Sequence, residues 1–480
     1  MTGPLVTVGT GPGGRPVVVD LDATPHGVIV GATGSGKTEL VRSMVSGLAA
    51  AYGPDTVTVA LTDYLGTATY RPLENLPHVA AVMTDLAEDL SLLDRFRHVL
   101  MGELERRRTL AAPGPRLLVV CDDVGELLAA DPGVLEVFAR IGRAGHPLGV
   151  HLLLAAQRLE EGRLRGLDRH LSYRIALRTF SRRESTALIG VPDAAELPPE
   201  PGAGYLRRSC TIEPFRSVLA GAPAPRAGPP ARRIWLAPLT PSTMDSSLLT
   251  NARPLRVPVA VLDRPFEHRQ DPMWLDLSGP PGNLVVVGDT GSGKTTLLRT
   301  FVGALARTHP PRHVRFHLLD GGDGLSPLRH LPHVTGDGDA PGTIAHLHGL
   351  LYHRRDAFRR RGIAHYGQVR RRPDRDRTDE YGDVFLVVDG HPLPDDPMVA
   401  DLARQGPPHG IHLVVTSPTY AEVPDALQPF HAVVVELRLR DPATSRAGRR
   451  LAGRSRSHGP GRGLTPEGLH FQTTLPTSTR

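Results

Sequence analysis

Lysine is almost missing from this chain: Lys37 and Lys294 are the two lysines among 480 residues, against 54 arginines. Arginine serves wherever a generic cation suffices, so the two lysine positions point to chemistry that a broad planar guanidinium cannot perform. Cysteine is equally scarce. Cys121 and Cys210 are too few for a disulfide framework or a cysteine-based metal site, and they suit a reducing compartment. Cys121 lies in an apolar run and reads as a small core residue. No apolar stretch approaches the roughly 18 residues needed to cross a bilayer, and Met1 to Pro16 lacks the basic-then-apolar order of a leader. A cytoplasmic protein is expected. An excess of charge is missing too, since 56 basic residues against 50 acidic ones leave only +6. Nucleic acid is therefore not the expected partner. At 40% hydrophobic and 22% charged residues, the composition is that of an ordinary globular protein long enough for at least two domains.

What is present is a repeat. GVIVGATGSGKTEL, Gly27 to Leu40, returns as NLVVVGDTGSGKTTL, Asn283 to Leu297. In the same order follow an aspartate closing an apolar run (Asp63, Asp320), Leu-Pro-His (Leu76 to His78, Leu331 to His333), an apolar run ending in aspartate (Leu117 to Asp122, Val384 to Asp389), and Gly-x-His before another apolar run. Each lysine precedes the first of these aspartates by 26 residues. Two copies of one fold are expected. Short Val/Leu/Ile runs without polar alternation suit strands buried on both faces, and segments such as Glu39 to Tyr52 have helical character. The fold class is α/β: two tandem P-loop domains, each a mainly parallel sheet covered by helices. The Pro- and Gly-rich stretch 222–233 reads as a linker between a first domain, 1–221, and a second, 234–480, whose opening part is a packed lead-in.

Each copy carries G-x-x-x-x-G-K-T between a strand-like and a helix-like run, the context in which this motif holds phosphate. Gly31, Ala32, Thr33, Gly34, Ser35, Gly36, Lys37 and Thr38 form the first candidate loop, and Gly288, Asp289, Thr290, Gly291, Ser292, Gly293, Lys294 and Thr295 the second. Glycines let backbone N–H groups turn inward, the following helix adds its positive end, the ammonium reaches the β- and γ-phosphates, and the threonine hydroxyl can hold Mg²⁺. ATP with Mg²⁺ is the expected ligand. For the metal, Thr38 and Asp122 serve the first copy, and Thr295 with Asp389 the second. Asp123 stands where enzymes of this kind carry the water-polarising glutamate, about one carbon–carbon bond short. A misplacement on the order of 1 Å can cost ~10²-fold, so hydrolysis at the first site is expected to be slow. Gln157 ends the next strand as the candidate γ-phosphate sensor. The second copy has Gly390 and Pro418 at the corresponding positions, which implies binding without turnover.

These residues lie within longer matches. PHGVIVGATGSGKTEL, LPHVAAVMTDLAEDL, RRIWLAPL, GNLVVVGDTGSGKTTLLRT and GPGRGLTPEGLHF give a chain that resembles, from Pro25 onward, the EccC ATPases of type VII secretion systems, a branch of the FtsK/SpoIIIE motor ATPases. The resemblance implies a motor or coupling protein that recognises small helical WXG-type substrates and works beside membrane components, at the inner face of the cell membrane. It also implies a membrane-anchored ATPase partner and assembly into a homo- or hetero-oligomeric ring. Such rings complete a site with an arginine from a neighbour, for which Arg163, Arg165, Arg174 and Arg178 are candidates. An FtsK-like DNA translocase and a nucleotide-bound scaffold without turnover remain the alternatives. Of the remaining features, the arginine-rich segment 354–377 reads as a solvated helix and loop with internal ion pairs, and His78 and His333 as structural residues.

Overall fold

A computed structural model describes residues 3–476 except 111–113, 160–161, 220, 222–223, 244–245, 252, 336–338, 372–378, 380, 394–395, 428–431 and 456–457. The chain divides into two compact units, residues 1–237 with 265–269, and residues 238–264 with 270–480.

The first unit holds strands β1 (Leu5–Thr10), β2 (Pro16–Asp20), β3 (His26–Val30), β4 (Val57–Asp63), β5 (Val79–Met83), β6 (Arg116–Asp122), β7 (Val150–Ala156), β8 (Tyr173–Leu177), β9 (Ala203–Arg208) and β10 (Thr211–Arg216). They form one sheet in the order β2-β1-β10-β9-β8-β3-β7-β6-β4-β5. The run from β8 to β5 is parallel, and β9, β10, β1 and β2 extend it antiparallel. The apolar runs are buried on both faces. Along β6, Leu117, Val119 and Cys121 enter one core while Leu118 and Val120 enter the other, as the two-residue period of a strand requires. Helix α1 (Lys37–Ala51) covers one face through Leu40, Val41, Met44, Val45 and Leu48. Helices α2 (Ser91–Arg108), α3 (Val124–Ala130) and α4 (Gly133–Ala144) cover the other, and α5 (Arg182–Ile189) follows β8.

The second unit repeats the plan with β11 (Arg256–Arg264), β12 (Arg269–Asp276), β13 (Asn283–Val287), β14 (Val314–Asp320), β15 (Asp383–Asp389), β16 (Ile411–Ser417), β17 (Ala432–Leu437), β18 (Arg462–Leu464) and β19 (His470–Thr473). Their order, β12-β11-β19-β18-β17-β13-β16-β15-β14, again sets the phosphate-loop strand between two parallel neighbours. Helix α6 (Lys294–Thr308) packs on one face, and α7 (Ala340–Arg361) and α9 (Pro397–Gln405) on the other, with the short α8 (Tyr366–Arg370) after α7. The α/β class and the parallel sheets are as expected from the apolar runs.

Two expectations change. The described part of the supposed linker runs along the first unit: the Arg226 N–H donates to Ala49 O at 2.7 Å, that of Ala231 to Pro77 O at 2.7 Å, and that of Ile234 to Ala80 O at 2.9 Å. Ala231 and Ile234 enter the core there. Proline and glycine deny this stretch its own helix, but free carbonyls at the end of α1 and beside β5 supply acceptors. Arg354, read as solvated, is fully buried. Its guanidinium holds Asp379 at 2.7 and 2.8 Å and the carbonyls of Gly382, His409 and Gly410. Five donors in a rigid fork suit that many acceptors. Arg359, Arg360 and Arg361 are exposed as expected, Arg370 donates to Asp383 at 2.8 and 2.7 Å, and 372–377 lie outside the described residues.

The base of the first sheet buries histidines. His26 Nδ1 accepts the Leu152 N–H at 3.1 Å while its Nε2 meets no partner, and both ring nitrogens of the fully buried His151 are likewise unpaired. In the second unit Asn283 does the same work with both amide atoms satisfied, accepting from Leu413 N–H at 2.9 Å and donating to Ala403 O at 2.7 Å. Burial, reinforced by positive neighbours, pushes His26 down to about 3, and burial pushes His151 down to about 4 despite Asp22. Because the folded state holds them neutral, their contribution is complete above the ordinary value near 6.5 and declines as pH falls below it. Each contributes up to ~1.4 kcal/mol per pH unit of that fall. We predict that the melting temperature of the first unit drops between about pH 7.5 and about pH 5, and that His26→Asn removes about half of the drop in thermal scans.

Candidate functional site

Both phosphate loops leave a central strand and enter a helix. In the first, Gly34 (φ 78°) and Gly36 (φ 89°) take left-handed backbone, and Gly291 (φ 71°) and Gly293 (φ 102°) do the same in the second. Each loop is fastened to its neighbours alike. Ala32 N–H donates to Arg178 O and Asp289 N–H to Arg438 O, while Ser35 O accepts from Gly202 N–H and Ser292 O from Gly461 N–H. Fastened so, the loops turn several N–H groups to no protein acceptor among the described residues: those of Thr33, Gly34, Gly36, Lys37 and Thr38 in the first, and of Gly291, Gly293, Lys294 and Thr295 in the second. Clustered unpaired N–H groups at a helix start form an anion cradle. A Cβ at Gly31 would strike Ser35 Oγ and one at Gly288 would strike Ser292 Oγ, so the cradle closes only on glycine. These residues fit a polyphosphate.

The charges differ between the units. In the first, the Lys37 ammonium is buried against Asp122 Oδ1, with Asp123 Oδ1 at 3.7 Å. Asp123 follows β6 with φ 52°, and its own N–H donates to Asp122 Oδ1 at 2.9 Å. Burial and then the Asp122 charge raise the Asp123 carboxyl to about 6, against the pull of Lys37. Gln157 Oε1 accepts from Thr33 Oγ1 at 3.1 Å, which joins the strand-end glutamine to the loop, and Thr38 is half-buried at the start of α1. A cleft of about 750 Å³ opens beside Gln157, lined also by Arg158, Arg163, Phe180 and Glu184. Arg163, a candidate for acting on a neighbouring molecule, thus lines its own unit's cleft, and its guanidinium reaches Gly125 O at 3.2 Å.

In the second unit Lys294 turns back onto its loop, donating to Gly288 O at 2.6 Å and Asp289 O at 3.0 Å, and burial lowers its pKa. Thr295 Oγ1 donates to Asp389 Oδ2 at 2.6 Å, and Gly390 repeats the left-handed turn of Asp123 with φ 61°. Thr290 N–H is occupied by Asp289 Oδ1 at 2.8 Å. Parallel pairing of Val30 with Ala156 and of Val287 with Ser417 makes Pro418 the counterpart of Gln157.

Sequence reasoning missed the supports. Asp63 accepts from Gly66 N–H, Thr67 Oγ1 and Thr69 N–H, and Asp320 from Gly322 N–H and Leu325 N–H, so each shapes the loop beside its phosphate site. Five residues beyond each lysine, Arg42 donates to Thr69 O and Arg299 to Gly324 O, bracing that loop against the helix. His78 donates to Tyr52 O at 2.8 Å and His333 to His309 O at 2.7 Å, tying the ends of α1 and α6 down, as their structural reading implied. The equal spacing in both copies was the available signal.

A parallel sheet with a phosphate loop at its middle strand, built twice, defines a tandem P-loop ATPase fold. The FtsK/SpoIIIE family model matches residues 3–113 and 247–477, and the chain belongs to that family. It is 38% identical over 591 aligned residues to the ESX secretion system protein EccC of Thermomonospora curvata, covering 98% of this chain and 45% of that protein. It is 36% identical over 569 to the ESX-4 secretion system protein EccC4 of Mycobacterium tuberculosis, covering 98% and 46%. The chain thus spans about half the length of these curated relatives. The solved cytoplasmic domain of the T. curvata type VII secretion ATPase EccC superposes with a TM-score of 0.90 at 38% identity, over 98% of this chain and 64% of that one. None of the described helices is long and apolar enough to cross a membrane.

At Gly293 an added Cβ would lie 2.6 Å from Gly461 N, on a left-handed backbone, whereas at Gly303 in α6 it would meet nothing within 4 Å. Gly293→Ala is expected to lower the stability of the second unit by about 1–2 kcal/mol or more, and Gly303→Ala to raise it by roughly 0.5–1 kcal/mol. Denaturant melts of the two variants check both signs.

Proposed function

We propose that the chain is an ATP-binding motor or coupling component of a type VII, ESX-like, protein secretion system. In this reading the first unit binds ATP with Mg²⁺ and hydrolyses it slowly, and the second binds without turnover. The observation that carries it is the asymmetry between two like cradles: the first gathers Lys37, Asp122, Asp123 and Gln157 at one loop, while the second keeps Lys294, Thr295 and Asp389 beside Gly390 and Pro418.

The loop N–H groups and Lys37 grip the phosphates, Lys37 exchanging Asp122 for the incoming anion. Thr38 and Asp122 would hold Mg²⁺, which would neutralise phosphate charge there; in the second unit Thr295 and Asp389 stand at the corresponding positions, bonded to each other. Asp123 accepts the proton of the attacking water once ionised. Gln157 orients that water or senses the γ-phosphate. The similarity to EccC proteins supports WXG-type substrates, membrane components with a membrane-anchored ATPase partner, and a ring-shaped oligomer at the inner face of the membrane.

Phosphate release from the full chain tests the reading. Slow wild-type turnover is expected to rise with pH through about 6, where Asp123 ionises, and to fall at least ~10-fold in Lys37→Ala and in Asp123→Asn. Asp123→Glu restores the reach of the carboxylate and raises the rate, at about 1 kcal/mol of stability for glutamate in a left-handed turn. No wild-type rate and no gain in Asp123→Glu would leave a nucleotide-bound scaffold instead.

A further inference from the structure

Besides Gly390 and Pro418, the second unit differs from the first at a residue on β16. Thr416 on β16 donates from Oγ1 to Asp389 Oδ1 at 2.8 Å, and the same Oγ1 accepts the Gly390 N–H at 3.1 Å. The hydroxyl's other acceptor, Val388 O, lies at 3.5 Å, so its one proton goes to the nearer and charged carboxylate oxygen. With Thr295 on Oδ2, both oxygens of Asp389 accept a hydroxyl. Pairing of Ile29 with Ala155 and of Val286 with Thr416 puts Ala155 at this position in the first unit, fully buried and without a hydroxyl. There Asp122 faces the Lys37 ammonium, which leaves when phosphate arrives and so frees a carboxylate oxygen for the water shell of a cation. In the second unit the group holding Oδ1 is a neutral neighbour that phosphate has no charge to draw away.

We infer that Thr416 is a positioning residue that cages Asp389, so that the second unit takes up nucleotide almost independently of magnesium while the first requires it. This rests on the reading that the second loop binds nucleotide. Retention then depends on the four free N–H groups and on Lys294, which needs only to leave two carbonyls of its own loop. The cage also keeps Oδ1 hydrogen-bonded when no cation is present, so removing magnesium leaves no unsatisfied carboxylate oxygen beside the loop.

The test uses the full chain carrying Lys37→Ala, which silences the first loop, titrated with a fluorescent ATP analogue in magnesium and in EDTA. The affinity of the second loop is expected to change less than about 3-fold between the two conditions. Adding Thr416→Val, or Thr416→Ala should the larger side chain disturb folding, frees Oδ1 and raises that ratio to about 10-fold, and Thr416→Ser restores the parent value. A role in folding alone would shift both affinities together and leave their ratio unchanged. A loss of about 10-fold or more in EDTA with Thr416 intact, or an unchanged ratio in both Thr416 variants, overturns the inference. No uptake in either condition overturns it by a different route, by removing the second loop from nucleotide binding altogether.

Discussion

A buried ammonium needs a counter-charge, and the way each loop supplies one governs what surrounds it. Lys37 is 9% exposed, and withdrawing such a group from water costs several kcal/mol unless an anion or several dipoles replace the lost hydration. The first unit answers with two carboxylates, and burial together with the Asp122 charge raises Asp123 to about 6. The second answers with two backbone carbonyls, leaving its aspartate to be satisfied by hydroxyls. In the proposed reading an incoming polyphosphate meets like cradles in both units but displaces different partners, a carboxylate in the first and two carbonyls in the second.

The fold fastens the cradle's surroundings from three directions, with the same residue types in each copy. The histidine after Leu-Pro holds the far end of the phosphate-loop helix, the arginine one and a half turns into that helix holds the adjoining loop, and the aspartate closing the second core strand folds that loop. None of these groups reaches the N–H cradle. They persist in the unit that carries Pro418 and Gly390 in place of Gln157 and Asp123, so their geometry does not depend on those two residues.

The sheets were legible because runs such as LLVVCD and FLVVD lack polar alternation, and the loops because only two lysines occur and both fall in one motif. The geometry of Asp63 and Asp320 was half legible: their repetition was plain, but a carboxylate folding a loop looks the same in sequence as one binding metal. Composition misread the segment around Arg226, since proline and glycine exclude regular structure without revealing whether a neighbouring surface offers acceptors. Arg354 was misread for a related reason. A run of arginines reads as solvated until three carbonyls and Asp379 converge on one of them, and that convergence comes from elements up to 56 residues away.

The residue after the metal-side aspartate shows how backbone and chemistry constrain each other. Both units turn left-handed there, at φ 52° in Asp123 and 61° in Gly390. Glycine enters that region freely, and aspartate and asparagine enter it more readily than longer side chains because their short polar groups can bond locally. A unit that needs no carboxylate at this point can relax to glycine, as the second does. A unit that keeps a carboxylate there holds the short acid at the least backbone cost: in the proposed reading the shorter reach of Asp123 is weighed against the roughly 1 kcal/mol that glutamate costs in the same turn.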